Sequence, residues 1–290
     1  MNFVDLHTHS TASDGTLSPQ VLVSRAKAQN LSAIALTDHD TINGISQAKE
    51  AAASCSLELI PGMELSCIYN GTEIHILGFF ADETSKELQD GLAVFRTIRN
   101  KRNTIMLKRF QEDGFDIIIE DLLHGVPDTV ITRAHFARVL TEKGYASSPA
   151  QAFDKYLQYG GHYCTRKEIV TPKQVMELMV SCHIWPCLAH PMQYHLGYSQ
   201  VEELALYLKE LGLRGLEVYH SSHNQAQSAK LQVIAKNLNL LPSGGSDFHG
   251  ANKPDIELGK GRGGLRVSYS LLKDIKNDYI APPYNKFLPS

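Results

Sequence analysis

The sequence predicts an α/β fold in which parallel strands alternate with crossover helices and one stretch of helices is inserted. Short apolar runs alternate with helical patterns over most of the 290 residues, which is typical of parallel strands joined by helices. From 84 to 159 the pattern is helical, rich in Lys, Arg, Glu and Gln, and contains no convincing strand. Polar residues recur after the apolar runs, where a parallel barrel collects its active site.

The individual elements follow from these runs. Seven strands are expected, at FVDL, SAIALT, LELIPGMEL, EIHILGFF, IWPCLA, RGLEV and LLPSGG. Helices are expected at 18–30, 171–182, 199–211 and 224–238, and over TINGISQAKEAAA. Ser18-Pro19 and Thr171-Pro172 each combine an N-cap with a proline that needs no N–H partner. We therefore expect a barrel domain of 1–83 and 160–290 and a helical insertion domain of 84–159.

Composition narrows the possible functions. The chain has 28 Lys and Arg against 31 Asp and Glu, a net charge of −3, so no overall basic field attracts nucleic acid. A nucleotide or an RNA end could still be held by local groups. The five cysteines form no C-x-x-C pair, which favours reduced thiols and a cytoplasmic protein. We expect no signal peptide, no membrane partner and no obligate protein partner.

Histidines and carboxylates follow the predicted strands repeatedly. One such residue alone would be a hydrogen-bonded histidine or a helix cap, but capping does not explain nine of them. His7 and His9, two residues apart at a strand end, point to the same side and can hold one cation. A set of His and carboxylate without paired Cys suits Mn, Fe or Zn. The nine candidates are His7, His9, Asp14, His39, Glu64, His75, His190, Asp247 and His249.

Five motifs in this order, DLHTHSTASDG, LTDHDT, GMELS, AHP and GSDFHG, resemble those of the PHP (polymerase and histidinol phosphatase) superfamily of metallophosphoesterases. The resemblance implies a distorted seven-stranded (β/α) barrel with three divalent metal ions. Mn is the expected metal, with Fe or Zn as alternatives. It implies a first site of His7, His9, Glu64 and Asp247 and a second of Asp14, His39 and His249. Glu64 would bridge to a third site, completed by His75 and His190. Asp14 stands where some members carry histidine.

That aspartate form is similar to a branch which also carries a helical insertion with ITRAHFARVL and GGHYCTRKEIVTP. The resemblance implies removal of the 3′-phosphate from nucleoside 3′,5′-bisphosphates, or 5′-to-3′ trimming of short RNA with a 5′-monophosphate. The substrate would be a nucleotide or a short RNA end. The loop at His162 departs from the branch, which has a small residue there.

Further candidates surround this predicted metal cluster. Arg133 and His135 begin a helical pattern, where a guanidinium and a helix N-terminus both attract phosphate; a surface arginine on a solvated face is the alternative. Arg166 or Lys167 could make a second phosphate contact. His220 and His223 follow a strand and could contact the substrate or support the metal ligands, with simple helix capping as the alternative. The leaving group could be protonated by His223 or by metal-bound water. Asp38 and Asp40 flank His39 and are expected to orient metal-binding histidines.

Two other functions remain open from the sequence alone. Histidinol-phosphate phosphatase activity uses the same scaffold, although the helical insertion with Arg133 and His135 favours nucleotides. A metal-stabilised module that binds nucleic acid without cutting it is the non-enzymatic alternative. The acidic net charge and the complete set of nine metal-binding candidates argue against that module.

Overall fold

Seven strands follow one another around a barrel, and a short eighth strand pairs with the first. A computed structural model describes residues 2–164 and 170–281. The strands are β1 (Phe3–Thr8), β2 (Ala33–Leu36), β3 (Glu58–Tyr69), β4 (Thr72–Phe79), β5 (Trp185–Leu188), β6 (Gly215–His220), β7 (Leu241–Gly245) and β8 (Val267–Ser268). Their order in the sheet is β7-β6-β5-β4-β3-β2-β1-β8. The seven predicted strands are confirmed, and β8 is an addition to them.

Helices connect the strands on the outside of the sheet. They are α1 (Pro19–Ala28), α2 (Ile45–Cys55), α3 (Lys86–Glu112), α4 (Ile119–Leu123), α5 (Arg133–Glu142), α6 (Pro149–Tyr156), α7 (Pro172–Ser181), α8 (Tyr198–Glu210), α9 (Gln225–Asn237) and α10 (Tyr269–Ile280). Short 3₁₀ helices span Pro191–Tyr194 and Gly250–Asn252. The side chains of Ser18 and Thr171 cap α1 and α7 as predicted, with proline at the next position.

The first and last strands of the barrel meet at a seam. The His9 N–H donates to the Phe248 carbonyl at 3.0 Å, and the Asp247 N–H donates to the His7 carbonyl at 2.9 Å. Gly245 allows this approach, because a Cβ added there would lie 2.4 Å from His7 Cβ. At the other end of the seam, β8 pairs antiparallel with Phe3 and Val4. The α/β barrel is therefore nearly closed.

One strand runs against the direction that the sequence pattern predicted. β4 pairs antiparallel with both β3 and β5, whereas the other barrel pairs are parallel. Only Asn70 and Gly71 separate β3 from β4, and two residues make a hairpin while a parallel connection needs a dozen or more. The prediction of uniformly parallel strands is wrong at β4. The reversal brings the amino-terminal half of β4 to the edge where its parallel neighbours end.

The helices between β4 and β5 carry a core of their own. Phe110, Phe136 and Leu140 are fully buried in it, and the Tyr163 ring stacks on Phe110 with centroids 3.9 Å apart. The first part of α3 packs instead on the barrel through Leu88 and nearby residues. At 27 residues, α3 is about 40 Å long. It thus links the barrel core to the core formed by α4, α5 and α6.

Two further findings concern the chemistry of the chain. All five cysteines, including Cys67 and Cys187 in the barrel, are free thiols. Across the stretches 2–164 and 170–281, no helix combines the length and apolarity that crossing a membrane requires.

Candidate metal centre

Nine polar side chains converge at the edge of the barrel where the parallel strands end. Each belongs to at least one of four groups whose possible ligand atoms lie within 4.8 Å of one another, and His220 is a tenth member of these groups. β3 continues past β2, since only Glu58–Pro61 pair with it, and this extension brings its Glu64 level with His39. All nine sequence candidates are brought together: His7, His9, Asp14, His39, Glu64, His75, His190, Asp247 and His249.

The Glu64 carboxylate lies at the centre of the cluster. Its Oε2 is 3.3 Å from His7 Nε2, His9 Nε2 and His39 Nδ1. The side chain is almost completely buried, so these histidines replace the water that would otherwise solvate it. Burial raises the pKa of Glu64, but His39 and His7 outweigh it and hold that pKa well below the usual value. The carboxylate is ionised at neutral pH.

The other oxygen of Glu64 faces a second pair of histidines. Oε1 lies 2.9 Å from His75 Nδ1 and 3.0 Å from His190 Nε2. His75 reaches this point because β4 is reversed, and His190 adopts the left-handed backbone region with φ +23°. A non-glycine residue in that region stores strain, which is common at functional sites. One carboxylate therefore faces two separate sets of imidazole nitrogens.

Asp14 is the centre of another group. Its oxygens lie 3.2 Å from His249 Nε2, 3.7 Å from His39 Nε2 and 3.8 Å from His9 Nδ1. Burial raises the pKa of Asp14, whereas His39 and His249 lower it more strongly, so the net pKa is well below its ordinary value. His9 thus faces Glu64 through Nε2 and Asp14 through Nδ1.

Asp247 uses its two oxygens in different directions. Oδ1 lies 3.6 Å from His7 Nε2 and 3.5 Å from His9 Nε2, on the side of the cluster. Oδ2 lies 2.6 Å from Lys253 Nζ and 3.4 Å from His220 Nε2. Neither Lys253 nor a ligand role for His220 was predicted. A histidine that ends a predicted strand can be recognised from the sequence as a site candidate, whereas a lysine in a polar loop cannot.

The donor set fits divalent cations. His9 Nδ1, His9 Nε2 and His39 Nδ1 are buried and make no hydrogen bond within the described part of the chain, although burying such atoms unpaired is costly. Ligand atoms that share one ion at about 2.0–2.2 Å stand roughly 3–3.5 Å apart, close to the separations around Glu64. Imidazole with carboxylate suits Mn, Fe and Zn.

Glu217 was missed by the sequence analysis. It lies on β6, fully buried, with Oε1 3.1 Å from His7 Nδ1 and Oε2 accepting from the His190 N–H at 2.6 Å. A carboxylate on the second nitrogen fixes the tautomer and the orientation of a metal-binding imidazole. The signal was present, because Glu217 is the single charged residue within the apolar run GLEVY.

Asp38 and Asp40 make contacts other than the predicted ones to histidine. Asp38 accepts hydrogen bonds from the Ser10 N–H, the Ser10 hydroxyl and the Ser13 hydroxyl, which fixes the loop between His9 and Asp14. Asp40 is paired with Arg99 of α3. Their expected role in orienting metal-binding histidines stays a prediction: Asp38 would act through the loop that carries His9 and Asp14, while Asp40 joins the barrel to α3.

Arg133 lies at the first position of α5 and lines the cavity beside the cluster. Its Nη2 is 3.0 Å from Glu73 Oε1, its Nη1 donates to the Leu157 carbonyl, and its guanidinium lies over the Phe153 ring. Glu73 Oε1 also lies 3.4 Å from His75 Nε2. The surface alternative is wrong, since only 19% of the Arg133 side chain is exposed.

The remaining substrate candidates have different surroundings. His135 closes a capping box, with Nδ1 accepting the Thr132 N–H, and its side chain is buried. Burial and the nearby His220 lower the pKa of His223 to about 4, which keeps it neutral at pH 7. Its Nδ1 donates to the Val218 carbonyl. Protonation of a leaving group by His223 stays a prediction. Arg166 and Lys167 lie outside the described residues.

A cavity of about 1000 Å³ opens directly on the cluster. Asp14, His39 and Glu64 line it, and so do Arg133 and other residues of α5. This volume is at the upper end of the range of small-molecule sites. A ligand larger than a single phosphate group can therefore reach the clustered histidines and carboxylates.

Comparison with known proteins relates this chain to one protein family and to individual relatives. The model of the family described as PHP domain matches residues 5–211. A 5′-3′ exoribonuclease of Haemophilus influenzae is 36% identical over 245 residues, 84% of this chain and 89% of that protein. A 3′,5′-nucleoside bisphosphate phosphatase of Chromobacterium violaceum is 30% identical over 257 residues, 88% of this chain and 90% of that protein.

A solved structure is similar over nearly the whole chain. The crystal structure of a metal-dependent phosphoesterase from Bifidobacterium adolescentis has a TM-score of 0.82 and 29% sequence identity. The similarity covers 94% of this chain and 95% of that one.

Proposed function

The chain belongs to the PHP domain family and is a metal-dependent phosphoesterase, and we propose that it hydrolyses nucleotide and RNA-end phosphate esters. The proposed reactions are 3′-phosphate removal from nucleoside 3′,5′-bisphosphates and 5′-to-3′ cleavage of short 5′-monophosphorylated RNA. Both substrates carry a 5′-phosphate and an ester at the 3′ oxygen of the same nucleoside. One binding mode can therefore serve both reactions.

One observation carries this proposal: the histidine and carboxylate cluster and the Arg133 guanidinium line the same cavity. The cluster offers a place for the phosphate that reacts. A guanidinium offers a bidentate contact to a second phosphate that does not react. Substrates with two phosphate groups use both ends of such a cavity, whereas histidinol phosphate would leave Arg133 unused.

We assign three divalent ions, Mn above Fe or Zn, to the cluster. The first group is His7, His9, Glu64 and Asp247, whose atoms lie 3.3–3.6 Å apart. The second is Asp14, His39 and His249 with His9 nearby, and the third is His75 and His190 with Glu64 shared. When bound, such ions supply a water of lowered pKa and offset the negative charge of a phosphate.

The protein's own groups position the substrate and the ligands. Arg133 binds the non-reacting phosphate, and His135 on the same helix is a further candidate contact. Glu217 holds His7 in one tautomer through the 3.1 Å contact to Nδ1. Asp38 fixes the loop that carries Asp14. His223 keeps its proposed role as proton donor only where a bound phosphate raises its pKa from about 4.

The division into a barrel of 1–83 and 160–290 and a helical insertion of 84–159 is also a proposal. The separate core around Phe110 and Phe136 supports it. Tyr163 and Cys164 pack on that core as well, so its packing extends slightly past 159. The five free cysteines support the proposed cytoplasmic location.

The test is an activity panel with purified metal-free protein resupplied with Mn²⁺. The substrates are adenosine 3′,5′-bisphosphate, 5′-phosphorylated and 5′-hydroxyl short RNA, adenosine monophosphates and histidinol phosphate. We expect hydrolysis of the bisphosphate and of 5′-phosphorylated RNA, abolished by His9→Gln and retained by the matched control His195→Gln, whose side chain lies on the surface. Preference for histidinol phosphate contradicts the proposal. Tight RNA binding without turnover points to the binding module.

A further inference from the structure

Lys253 lies at the boundary between the buried cluster and the cavity. Its Nζ is 2.6 Å from Asp247 Oδ2, while the other oxygen of Asp247 faces the histidines. The Asp247 side chain is 5% exposed and that of Lys253 is 36% exposed. An ammonium has three N–H donors, and this contact uses one of them. Lys253 also lines the cavity, so further donors of its ammonium can meet a ligand there.

The loop that carries Lys253 is held in place. The Ala251 N–H donates to Thr16 Oγ1 at 2.8 Å, and the Asn252 amide donates to the Asp14 carbonyl at 2.7 Å. Both acceptors belong to the loop after β1, which also carries the cluster residue Asp14. The backbone of Lys253 is therefore fixed relative to the cluster, and its position does not depend on a free surface loop.

Lys253 and Arg133 approach the cavity from different sides of the barrel. Lys253 follows β7, while Arg133 is paired with Glu73 of β4, and β5 and β6 lie between those two strands in the sheet. Lys253 and Arg133 thus line one cavity from different strands of the barrel. A substrate with two phosphate groups can contact both of these cations at once.

We propose that Lys253 contacts the reacting phosphate, while Arg133 binds the phosphate that does not react. This inference rests on the proposed function. A divalent cation held by Asp247 Oδ1 would compete with Lys253 for the single negative charge of the Asp247 carboxylate. The cation and the Lys253 ammonium would also repel each other. The anionic substrate then supplies the compensating charge. Lys253 opposes metal binding and favours phosphate binding, and these opposite effects distinguish it from a residue that merely orients Asp247.

The experiment compares Lys253→Gln and Lys253→Arg with Lys260→Gln, a matched control whose side chain pairs with exposed Glu257. Calorimetry gives the affinity of the metal-free proteins for Mn²⁺ and of the Mn²⁺-loaded proteins for inorganic phosphate. Steady-state kinetics gives kcat and KM for adenosine 3′,5′-bisphosphate. For Lys253→Gln we expect several-fold tighter Mn²⁺ binding, weaker phosphate binding, and a loss in kcat/KM of about tenfold to a hundredfold. Lys253→Arg keeps the charge and should recover part of the phosphate affinity and of the kcat/KM that Lys253→Gln loses, whereas Lys260→Gln should stay near wild type.

The outcomes separate this inference from the proposed function. Weaker Mn²⁺ binding by Lys253→Gln with unchanged phosphate binding overturns the inference, because Lys253 then only orients Asp247. Unchanged Mn²⁺ and phosphate affinities overturn it too. If wild type hydrolyses no phosphate ester but Lys253→Gln still shows opposite shifts in the two affinities, the proposed function fails while the assignment of Lys253 as a phosphate contact is supported.

Discussion

Substitution of Arg133 by Ala tests the phosphate contact and has two separate effects. Glu73 is 10% exposed and pairs with Arg133 at 3.0 Å, and its other cation, Arg102, is 3.7 Å away. Removing one partner of a fully buried ion pair costs about 3–5 kcal/mol. Because Arg102 remains close and Arg133 is partly exposed, we expect a stability loss of about 1–3 kcal/mol. For a chain of this size that lowers Tm by about 2–12 °C.

The effect on activity is expected to depend on the substrate. A hydrogen bond to a charged group is worth about 1.5–3 kcal/mol, so kcat/KM for adenosine 3′,5′-bisphosphate should fall about tenfold to a hundredfold in Arg133→Ala. Adenosine 3′-monophosphate lacks the phosphate that Arg133 would bind, and its hydrolysis should change little. The same contrast is expected between 5′-phosphorylated and 5′-hydroxyl RNA.

Arg133→Lys separates the two effects. A lysine keeps the charge beside Glu73 and should retain most of the stability, but a point charge does not replace a bidentate contact, so kcat/KM should remain low. Kinetics at a temperature well below Tm, together with thermal unfolding by circular dichroism, make both measurements. Equal slowing of singly and doubly phosphorylated substrates by Arg133→Ala would refute the reasoning.

Three further predictions concern the metal cluster. Glu64→Gln should lose more bound metal in native mass spectrometry than His190→Gln, because both oxygens of Glu64 face histidine nitrogens; full occupancy with normal turnover would contradict a bridging role. Glu217→Gln should weaken Mn²⁺ binding about tenfold to a hundredfold in calorimetry, and an unchanged affinity would exclude its control of His7. Chelation of metal should abolish hydrolysis and lower the Tm measured by calorimetry, since ions at about 100 times their Kd contribute about 2.7 kcal/mol; an unchanged Tm would argue against a buried metal site.

The sequence predicted the strands well and missed the direction of one. Alternation of apolar runs with helical patterns identifies a barrel, but the run length does not reveal strand direction. Asn70-Gly71 between two apolar runs is a hairpin signal, so the reversal of β4 was detectable. β8 was not, because Val267–Ser268 is too short for any periodicity.

Which residues gather at the site was easier to predict than their contacts. Parallel strands collect their ends at one edge, so His7, His39 and Asp247 can be placed together from position alone. Which side chains contact one another depends on their directions and on residues that are distant in the chain. Glu73, the partner of Arg133, lies 60 positions before it. Lys253 could be identified as a site residue only from the structure, because nothing in the sequence of a polar loop distinguishes one lysine from another.

The seam between β1 and the segment after β7 sets when the cluster can form during synthesis. His9 and His249 are about 240 residues apart in the chain, so at about 5–20 residues per second the ribosome releases them roughly 10–50 seconds apart. During that interval His7 and His9 exist without Asp247 and His249. His7 and His9 are therefore present on the nascent chain before their partners are made. Any ion that they bind in that interval is held by an incomplete set of ligands. The complete set of nine side chains exists only once the two ends of the barrel have met.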